Sequence, residues 1–387
     1  MTRWVNIDSV SYFFPPVSFN CLAAKGEDLE HAFHLRMSCR IYISVLLVFN
    51  SFFLLFPPVN LEKRPCLTIY KVFSWTLLII SVIMAPTTIW VKDTTFARVS
   101  LIHKIVFDFS IVVMYVTNIY ISALGILKQK QLSKLLGEVL EDISSGYGFI
   151  LHFTIFVIYH TIGIVMILFT QFQRSDSMTY QFVVLFGDGF LTFRLVGVFF
   201  IISLIIKRIR EKLKKFNKKL TQPNEVMHIK AYRVSHNILC DHIQTVNSLC
   251  GLILLLVILF IITTFLRHAV FTSQFYNTLL VAMVRCSWIL ASGCQAAYLA
   301  YVGQQIAAES EQTVAICYKQ MLKTSTNKIE NDANQEFFLL AQQVVNRTTK
   351  ISAAGFFNID NSMILFMATT FFTYFIVVMQ LMFCRSC

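Results

Sequence analysis

A chain of 387 residues in which 56% are hydrophobic and only 14% are charged is too apolar for a soluble globular protein, and it is expected to be an integral membrane protein. A net charge of +12 could suggest a nucleic-acid-binding protein, but no nucleic-acid-binding module is visible in the sequence. Because the lysines and arginines cluster beside apolar stretches, we attribute the charge to orientation in the membrane and predict no nucleic-acid partner.

The first 66 residues are mixed in character and show no cleavable signal peptide. Within them, the apolar stretch 41–56 is short for a membrane span, contains Asn50 and stops at Pro57 and Pro58. This pattern predicts a short interfacial helix within a cytosolic N-terminal segment, 1–66. If 41–56 crossed the membrane instead, there would be eight spans and the N-terminus would change sides.

Seven apolar stretches are each long enough to cross the hydrocarbon core of a bilayer as a helix. They cover residues 67–91, 101–127, 149–172, 182–206, 249–268, 278–302 and 363–383. Lys and Arg fill the connections at 128–134 and 207–233, whereas the alternate connections hold few or none. Because such residues concentrate in cytosolic loops, the sequence predicts an all-α, polytopic protein with seven transmembrane helices, an intracellular N-terminus and an extracellular C-terminus.

The basic cytosolic loop between the fourth and fifth spans, 207–248, has a helical pattern of its own. Apolar residues recur in it at helical spacing, at Ile209, Leu213, Phe216 and Leu220. We expect the fourth span to continue here as a helix close to anionic lipid headgroups. A calmodulin-binding helix would show the same pattern and is the alternative.

A second helix outside the spans is predicted over 336–351. Its apolar side consists of Phe337, Leu340 or Ala341, Val344 and Ile351. After the N-terminal segment, the chain is expected to contain a six-helix transmembrane bundle with its basic loop, a group of cytosolic helices, and the last transmembrane helix. These parts cover 67–302, 303–358 and 359–387.

Motifs of catalytic chemistry are absent, since the sequence has no His-Glu-x-x-His, no Gly-x-Ser-x-Gly and no phosphate-binding glycine loop. We therefore predict that the protein is not an enzyme and needs no cofactor. Four neighbouring side chains could bind zinc, namely His236, Cys240, Asp241 and His242. A solvated helix in a cytosolic loop explains them better, and we predict no metal.

Ionisable residues inside a span cost a few kcal/mol each unless they face protein or water, and four occur here: Asp108, Asp188, Arg194 and Arg285. They can form structural pairs within the bundle, or some can line a ligand cavity. Other side chains at similar depth could supply its apolar walls, namely Tyr115, Met166, Phe169, Phe186 and Trp288. The candidate ligand-binding residues are Asp108, Tyr115, Phe169, Asp188, Arg285 and Trp288.

The last span carries its polar residues on one side. Its stripe consists of Ser362, Thr369, Thr373, Ile376 and Gln380. The threonines can bond back to their own helix and Gln380 can bond to a neighbouring helix, which would make the stripe a packing surface. Alternatively, several copies of the helix surround a water-filled pore that is lined by Thr369, Thr373, Ile376 and Gln380.

Two linked motifs lie at this end of the chain. In one, Thr373 and Tyr374 are followed by five mostly apolar residues and Gln380. This sequence resembles the C-terminal signature of insect gustatory receptors, which is a Thr-Tyr pair, five hydrophobic residues and Gln-Phe. Upstream lies a segment similar to the family's small-Gly-Phe-Phe-x-hydrophobic-Asp sequence, which contains Gly355, Phe356 and Asp360. Leu381 replaces the usual Phe, and Phe375 stands where the sugar-sensing branch has Glu.

This resemblance implies a ligand-gated, non-selective cation channel in the plasma membrane of gustatory sensory neurons. Its subunits would form a homo- or hetero-tetramer with related receptors, in contact with membrane lipid, and would detect a small tastant, more readily a bitter compound than a sugar. One alternative is a G-protein-coupled receptor, although Glu/Asp-Arg-Tyr and Asn-Pro-x-x-Tyr motifs are absent. The other is a non-pore structural subunit of a heteromeric chemoreceptor.

Overall fold

A computed structural model describes residues 64–95, 101–140, 162, 165, 185–221, 229–274, 279–323, 328–347 and 349–383. The predicted interfacial stretch 41–56 lies outside the described residues. So does the predicted third span, 149–172, apart from two helical positions at 162 and 165.

Nearly all described residues are helical, which confirms the predicted all-α class. The first three helices are α1 (Arg64–Thr95), α2 (Leu101–Leu127) and α3 (Gln129–Leu140). A π-helical turn, Leu185–Leu191, leads directly into α4 (Thr192–Thr221), which is followed by α5 (Ile229–Gln274), α6 (Leu279–Lys323) and α7 (Lys328–Asn346). A two-stranded antiparallel hairpin, β1 (Ser352–Ala353) and β2 (Phe357–Asn358), precedes the last helix, α8 (Asn361–Phe383).

Five helical stretches among the described residues are long and apolar enough to cross a membrane. They are Tyr70–Trp90, Lys104–Leu127, Gly189–Thr221, Lys230–Val270 and Asn361–Leu381, and they contain or overlap the first, second, fourth, fifth and seventh predicted spans. Residues 279–302 of the predicted sixth span lie within α6. Since 41 residues of helix measure about 60 Å, Lys230–Val270 exceeds the hydrocarbon core, and its polar part before 249 extends beyond the membrane.

The helices outside the apolar spans differ in length from the sequence-based expectation. The fourth span does continue as a helix through the basic residues, to Thr221, as predicted. The prediction of a helix over 336–351 was wrong at both ends, because α7 runs from Lys328 to Asn346. Ile351 instead lies in extended chain, where its carbonyl oxygen accepts a hydrogen bond from the N–H of Ile359, 2.8 Å away.

The chain divides into two compact units, residues 1–77 with 122–159 and residues 78–121 with 160–387. In the first unit the hydroxyl of Tyr70 on α1 donates a hydrogen bond to the carbonyl oxygen of Gly125 on α2, over 3.3 Å. The second unit contains every site described below.

Four helical segments of the second unit pack together, and we call them the anchor bundle: α4 from 207, α5 up to 248, α6 from 303, and α7. Their shared core is apolar and consists of Leu213, Phe216, Leu220, Leu239, Ile316, Cys317, Ala333, Phe337, Leu340, Ala341 and Val344. Both predicted apolar stripes face this core, except for Ile209 and Ile351, which are not part of it. The lysines on α4 face outward, as at Lys214 and Lys218.

Candidate functional site

The face of α8 that carries the polar stripe is exposed, and the other described residues do not cover it. Met363, Met367 and Val378 on the other face are buried. The stripe residues Thr369, Thr373, Ile376 and Gln380 are all exposed. Only 17% of the most apolar stretch of α8 is buried, whereas 78% of the most apolar stretch of Gly189–Thr221 is buried. The stripe is thus a surface of the single chain rather than a contact within it.

The motif upstream of α8 forms the tip of the hairpin and the start of the helix. Gly355 has a φ of +81°, which a glycine adopts without strain, and its N–H donates to the hydroxyl of Ser352 over 2.9 Å. Asp360 caps α8, because its carboxylate accepts a hydrogen bond from the N–H of Ser362 over 2.9 Å. Phe356 and Tyr374, also part of the motifs, are 76% and 57% exposed.

A cleft between α4, α5 and α6 is a candidate for a ligand site. Its lining consists of Thr192, Leu195, Val196, Phe199, Val257, Phe260, Ile261, Thr264, Trp288, Ser292 and Gln295. The space measures about 360 Å³ including open solvent, but its walls approach so closely that it has room for about one water molecule. Among the described residues, the buried hydroxyl of Thr264 has no hydrogen-bond partner.

The cleft contains one of the predicted ligand-binding residues, Trp288, which is 3% exposed. Mainly aliphatic and aromatic walls with a few hydroxyl and amide groups suit a small organic molecule. The side chains of Asp188 and Arg285, and the whole of Phe169 and Met166, lie outside the described residues.

Tyr115 belongs to a separate buried polar group. Its hydroxyl is 2.6 Å from that of Thr88 on α1. Arg194 on α4 is fully buried and donates to the side-chain oxygen of Asn118, 3.2 Å away, and to its backbone carbonyl, 3.4 Å away. These contacts give Tyr115 and Arg194 structural partners across α1, α2 and α4. Asp108 is half-buried, and neither Asp108 nor Tyr115 is among the described residues that line the cleft.

The four residues considered for zinc lie on α5, where the helix contacts α7. His236 is fully buried, and its Nδ1 accepts a hydrogen bond from the amide of Gln343 on α7, 3.2 Å away. Burial lowers the pKa of His236 to about 4, and the positive charge of Arg347 lowers it as well. Among the described residues no group of three His, Cys, Asp or Glu side chains could hold a metal ion.

Comparison with known proteins identifies the family. A family model described as 7tm Chemosensory receptor matches residues 141–381. The chain belongs to this family. The receptor's fold also matches the structure of the insect olfactory receptor OR5 from Machilis hrabei, with a TM-score of 0.68 and 15% sequence identity over 90% of this chain and 99% of that one.

The same olfactory receptor in complex with eugenol matches the receptor with a TM-score of 0.63 and 14% identity, again over 90% of this chain and 99% of the other. A search of curated protein sequences finds no match. The resemblance to insect chemoreceptors that the two C-terminal motifs predicted is thus confirmed at the level of the family and fold.

Sequence reasoning missed several residues that line the cleft or lie against the hairpin. Thr192, Thr264 and Ser292 gave no signal, because single hydroxyl residues are common in membrane helices. Asn247, Gly251 and Gly303 contact the hairpin, as described below. Glycines inside long helical patterns were the one available hint, since they often mark a close approach of another backbone.

Proposed function

We propose that the receptor is a ligand-gated, non-selective cation channel of the plasma membrane, in which the exposed stripe of α8 lines the ion path. The observation that carries this proposal is the exposure of Thr369, Thr373 and Gln380 on a helix that is apolar enough to span the bilayer. Polar groups on a spanning helix are disfavoured against lipid, so this face is expected to meet water. Several copies of α8 around one axis would provide that environment.

The cleft between α4, α5 and α6 is the proposed entry point for a small molecule. The likeness to an olfactory receptor that binds eugenol supports a compact organic ligand. Because the cleft is narrow, the ligand must bind a wider form of it, and preferential binding to the form that accompanies the open channel would shift the equilibrium. The Phe at 375, in place of the acidic residue of the sugar-sensing branch, favours a bitter tastant.

The proposed assembly is a homo- or hetero-tetramer with related receptors, with subunit contacts in the anchor bundle. Several large apolar side chains there are exposed although they lie outside the predicted spans, namely Val234, Ile238, Leu322, Phe338 and Val345. Such side chains would face water in a single chain, which favours their burial between subunits. The spans themselves would contact membrane lipid.

Two other functions make different demands on the molecule. A G-protein-coupled receptor would need the opposite orientation in the membrane, with an extracellular N-terminus. A non-pore subunit of a heteromeric chemoreceptor would need a related partner to conduct ions. Gustatory neurons are the proposed site of expression.

Recording from cells that express only this receptor tests the proposal. Spontaneous currents are measured first, and then currents during application of bitter plant compounds, with Na⁺ or K⁺ as the only external monovalent cation. We expect similar reversal potentials in the two solutions, because the stripe carries no ring of charge or carbonyl groups that would select an ion. A strong preference for K⁺ over Na⁺ would contradict the proposal, and current only after co-expression of a related receptor would favour the subunit alternative.

A further inference from the structure

One side chain of α5 makes two hydrogen bonds to the start of the hairpin that precedes α8. The amide nitrogen of Asn247 donates to the carbonyl oxygen of Lys350 over 2.9 Å. Its amide oxygen accepts from the N–H of Ser352, also over 2.9 Å. The Asn247 side chain thus pairs with one backbone carbonyl and one backbone N–H of the extended segment, as a neighbouring strand would. The two bonds fix the position of the hairpin along α5.

Two glycines let the hairpin lie directly on the helices. A Cβ atom at Gly251 on α5 would lie 2.9 Å from the backbone nitrogen of Ala354 and 3.2 Å from the carbonyl oxygen of Ser352. A Cβ atom at Gly303 on α6 would lie 3.0 Å from the carbonyl carbon of Ile359 and would overlap its oxygen. Glycine within a helix costs about 1 kcal/mol relative to alanine. The close approach of the hairpin explains why glycine nevertheless occupies both positions.

The connection from the contact at Gly251 and Gly303 to α8 is short. The N–H of Ile359 closes the hairpin on the carbonyl oxygen of Ile351 over 2.8 Å. The next residue, Asp360, caps α8 through Ser362 and accepts a hydrogen bond from the N–H of Met363 over 3.0 Å. The backbone of Ile359, which lies against Gly303, is therefore adjacent to the first turn of α8.

The same two helices line the cleft. Val257 follows Gly251 on α5 by six residues, about 9 Å along the helix. Gln295 precedes Gly303 on α6 by eight residues, about 12 Å. Both helices are continuous between cleft and hairpin, so a displacement of either at the cleft reaches the hairpin through one rigid element.

We propose that Asn247, Gly251 and Gly303 are positioning residues for gating, which seat the hairpin on α5 and α6 so that movement of these helices at the cleft is passed to α8. This inference rests on the proposed channel function. The hairpin acts as a stiff link, whereas an added Cβ at its tip, Gly355, would meet nothing within 4 Å.

Gly303→Ala tests the link, with Gly293→Ala as the matched control. Both substitutions place the same residue on α6, but a Cβ at Gly293 meets only the ring of Phe265, at an ordinary 3.7 Å. Amide hydrogen exchange of the peptide around 350–362 is measured in the purified receptor, and spontaneous single-channel openings are recorded without ligand. For Gly303→Ala we expect exchange faster by about tenfold, an open probability changed by about threefold or more, and an unchanged unitary conductance.

Equal exchange and equal open probability in Gly303→Ala and Gly293→Ala would overturn the inference. Asn247→Asp provides a second variant, which leaves the close contacts at Gly251 and Gly303 unchanged. It keeps an acceptor for the N–H of Ser352 but replaces the donor to the carbonyl oxygen of Lys350 with an acceptor. It should change open probability more than Ser248→Ala beside it, and equal values would count against the link. Absence of any current from the wild type would contradict the proposed function instead. In that case hydrogen exchange alone tests the contact of the hairpin with α5 and α6. Faster exchange in Gly303→Ala would support this contact, and unchanged exchange would overturn it.

Discussion

The side-chain amide of Asn217 on α4 donates to the backbone carbonyl oxygen of Glu309 on α6 over 2.8 Å and to its carboxylate over 3.1 Å. The hydroxyl of Thr313, one turn further along α6, donates to the side-chain oxygen of Asn217 over 2.6 Å. All three residues are buried. Each polar atom of the Asn217 amide is therefore paired, and the contact fixes the register of α4 against α6 in the anchor bundle.

Asn217→Ala should destabilise the receptor, because it removes the hydrogen bonds that Asn217 makes to Glu309 and Thr313 in a buried place. The hydroxyl of Thr313 can still donate to the carbonyl oxygen of Glu309, 3.0 Å away, but the Glu309 carboxylate loses the amide of Asn217. The expected cost is about 1 to 3 kcal/mol, seen as a melting temperature lowered by several degrees in detergent. Lys214→Ala, one turn earlier on the exposed side of α4, is the control and should leave the melting temperature nearly unchanged. Equal melting temperatures for the two variants would show that the contact adds nothing to stability.

Acidification should weaken the contact between α5 and α7 through His236. An unfolded histidine has a pKa near 6.5, whereas burial lowers the pKa of His236 to about 4. Between these values the unfolded chain binds a proton that the native chain does not, so stability falls as the pH falls from 6.5 towards 4, by roughly 3 kcal/mol at most. The measurement is the melting temperature across this range for the wild type and for His236→Asn, which cannot titrate. The melting temperature of the variant should decline less as the pH falls. Parallel curves for the two proteins would refute the assignment of this pH dependence to His236.

Gln380→Ala should change the unitary conductance if Gln380 lines the ion path. Its amide would interact with permeating ions or their water, and the methyl group of alanine would not. Leu381→Ala is the matched control, because Leu381 is also exposed but lies a residue away from the stripe. Single-channel recording separates the two variants. Unchanged conductance in Gln380→Ala would instead assign the stripe to packing between helices.

Local sequence patterns predicted much of this architecture. The spacing of Leu213, Phe216 and Leu220 predicted a helix beyond the fourth span, and these residues are buried on one side of α4. The stripe of α8 followed from the same periodicity. The structure shows the stripe exposed, without contact to the other described residues, while its role in conduction stays a prediction.

Features that depend on distant contacts could not be predicted. The end of α7 was placed too late because Asn247, about a hundred residues earlier, takes the backbone around Lys350 into an extended conformation. Similarly, no pattern in the sequence indicated that Arg194 donates to the amide oxygen of Asn118 on α2. No periodicity records such partners, since they depend on how helices meet in three dimensions.

Orientation in the membrane separates the channel from a G-protein-coupled receptor most directly and requires no ligand. One epitope is placed before Met1 and another after Cys387, and antibody access is compared in intact and permeabilised cells. We predict that the N-terminal tag is hidden in intact cells and the C-terminal tag is exposed, because the basic connections lie on the intracellular side. The reverse pattern would contradict the channel account, and exposure of both tags would contradict seven spans by making 41–56 a further crossing.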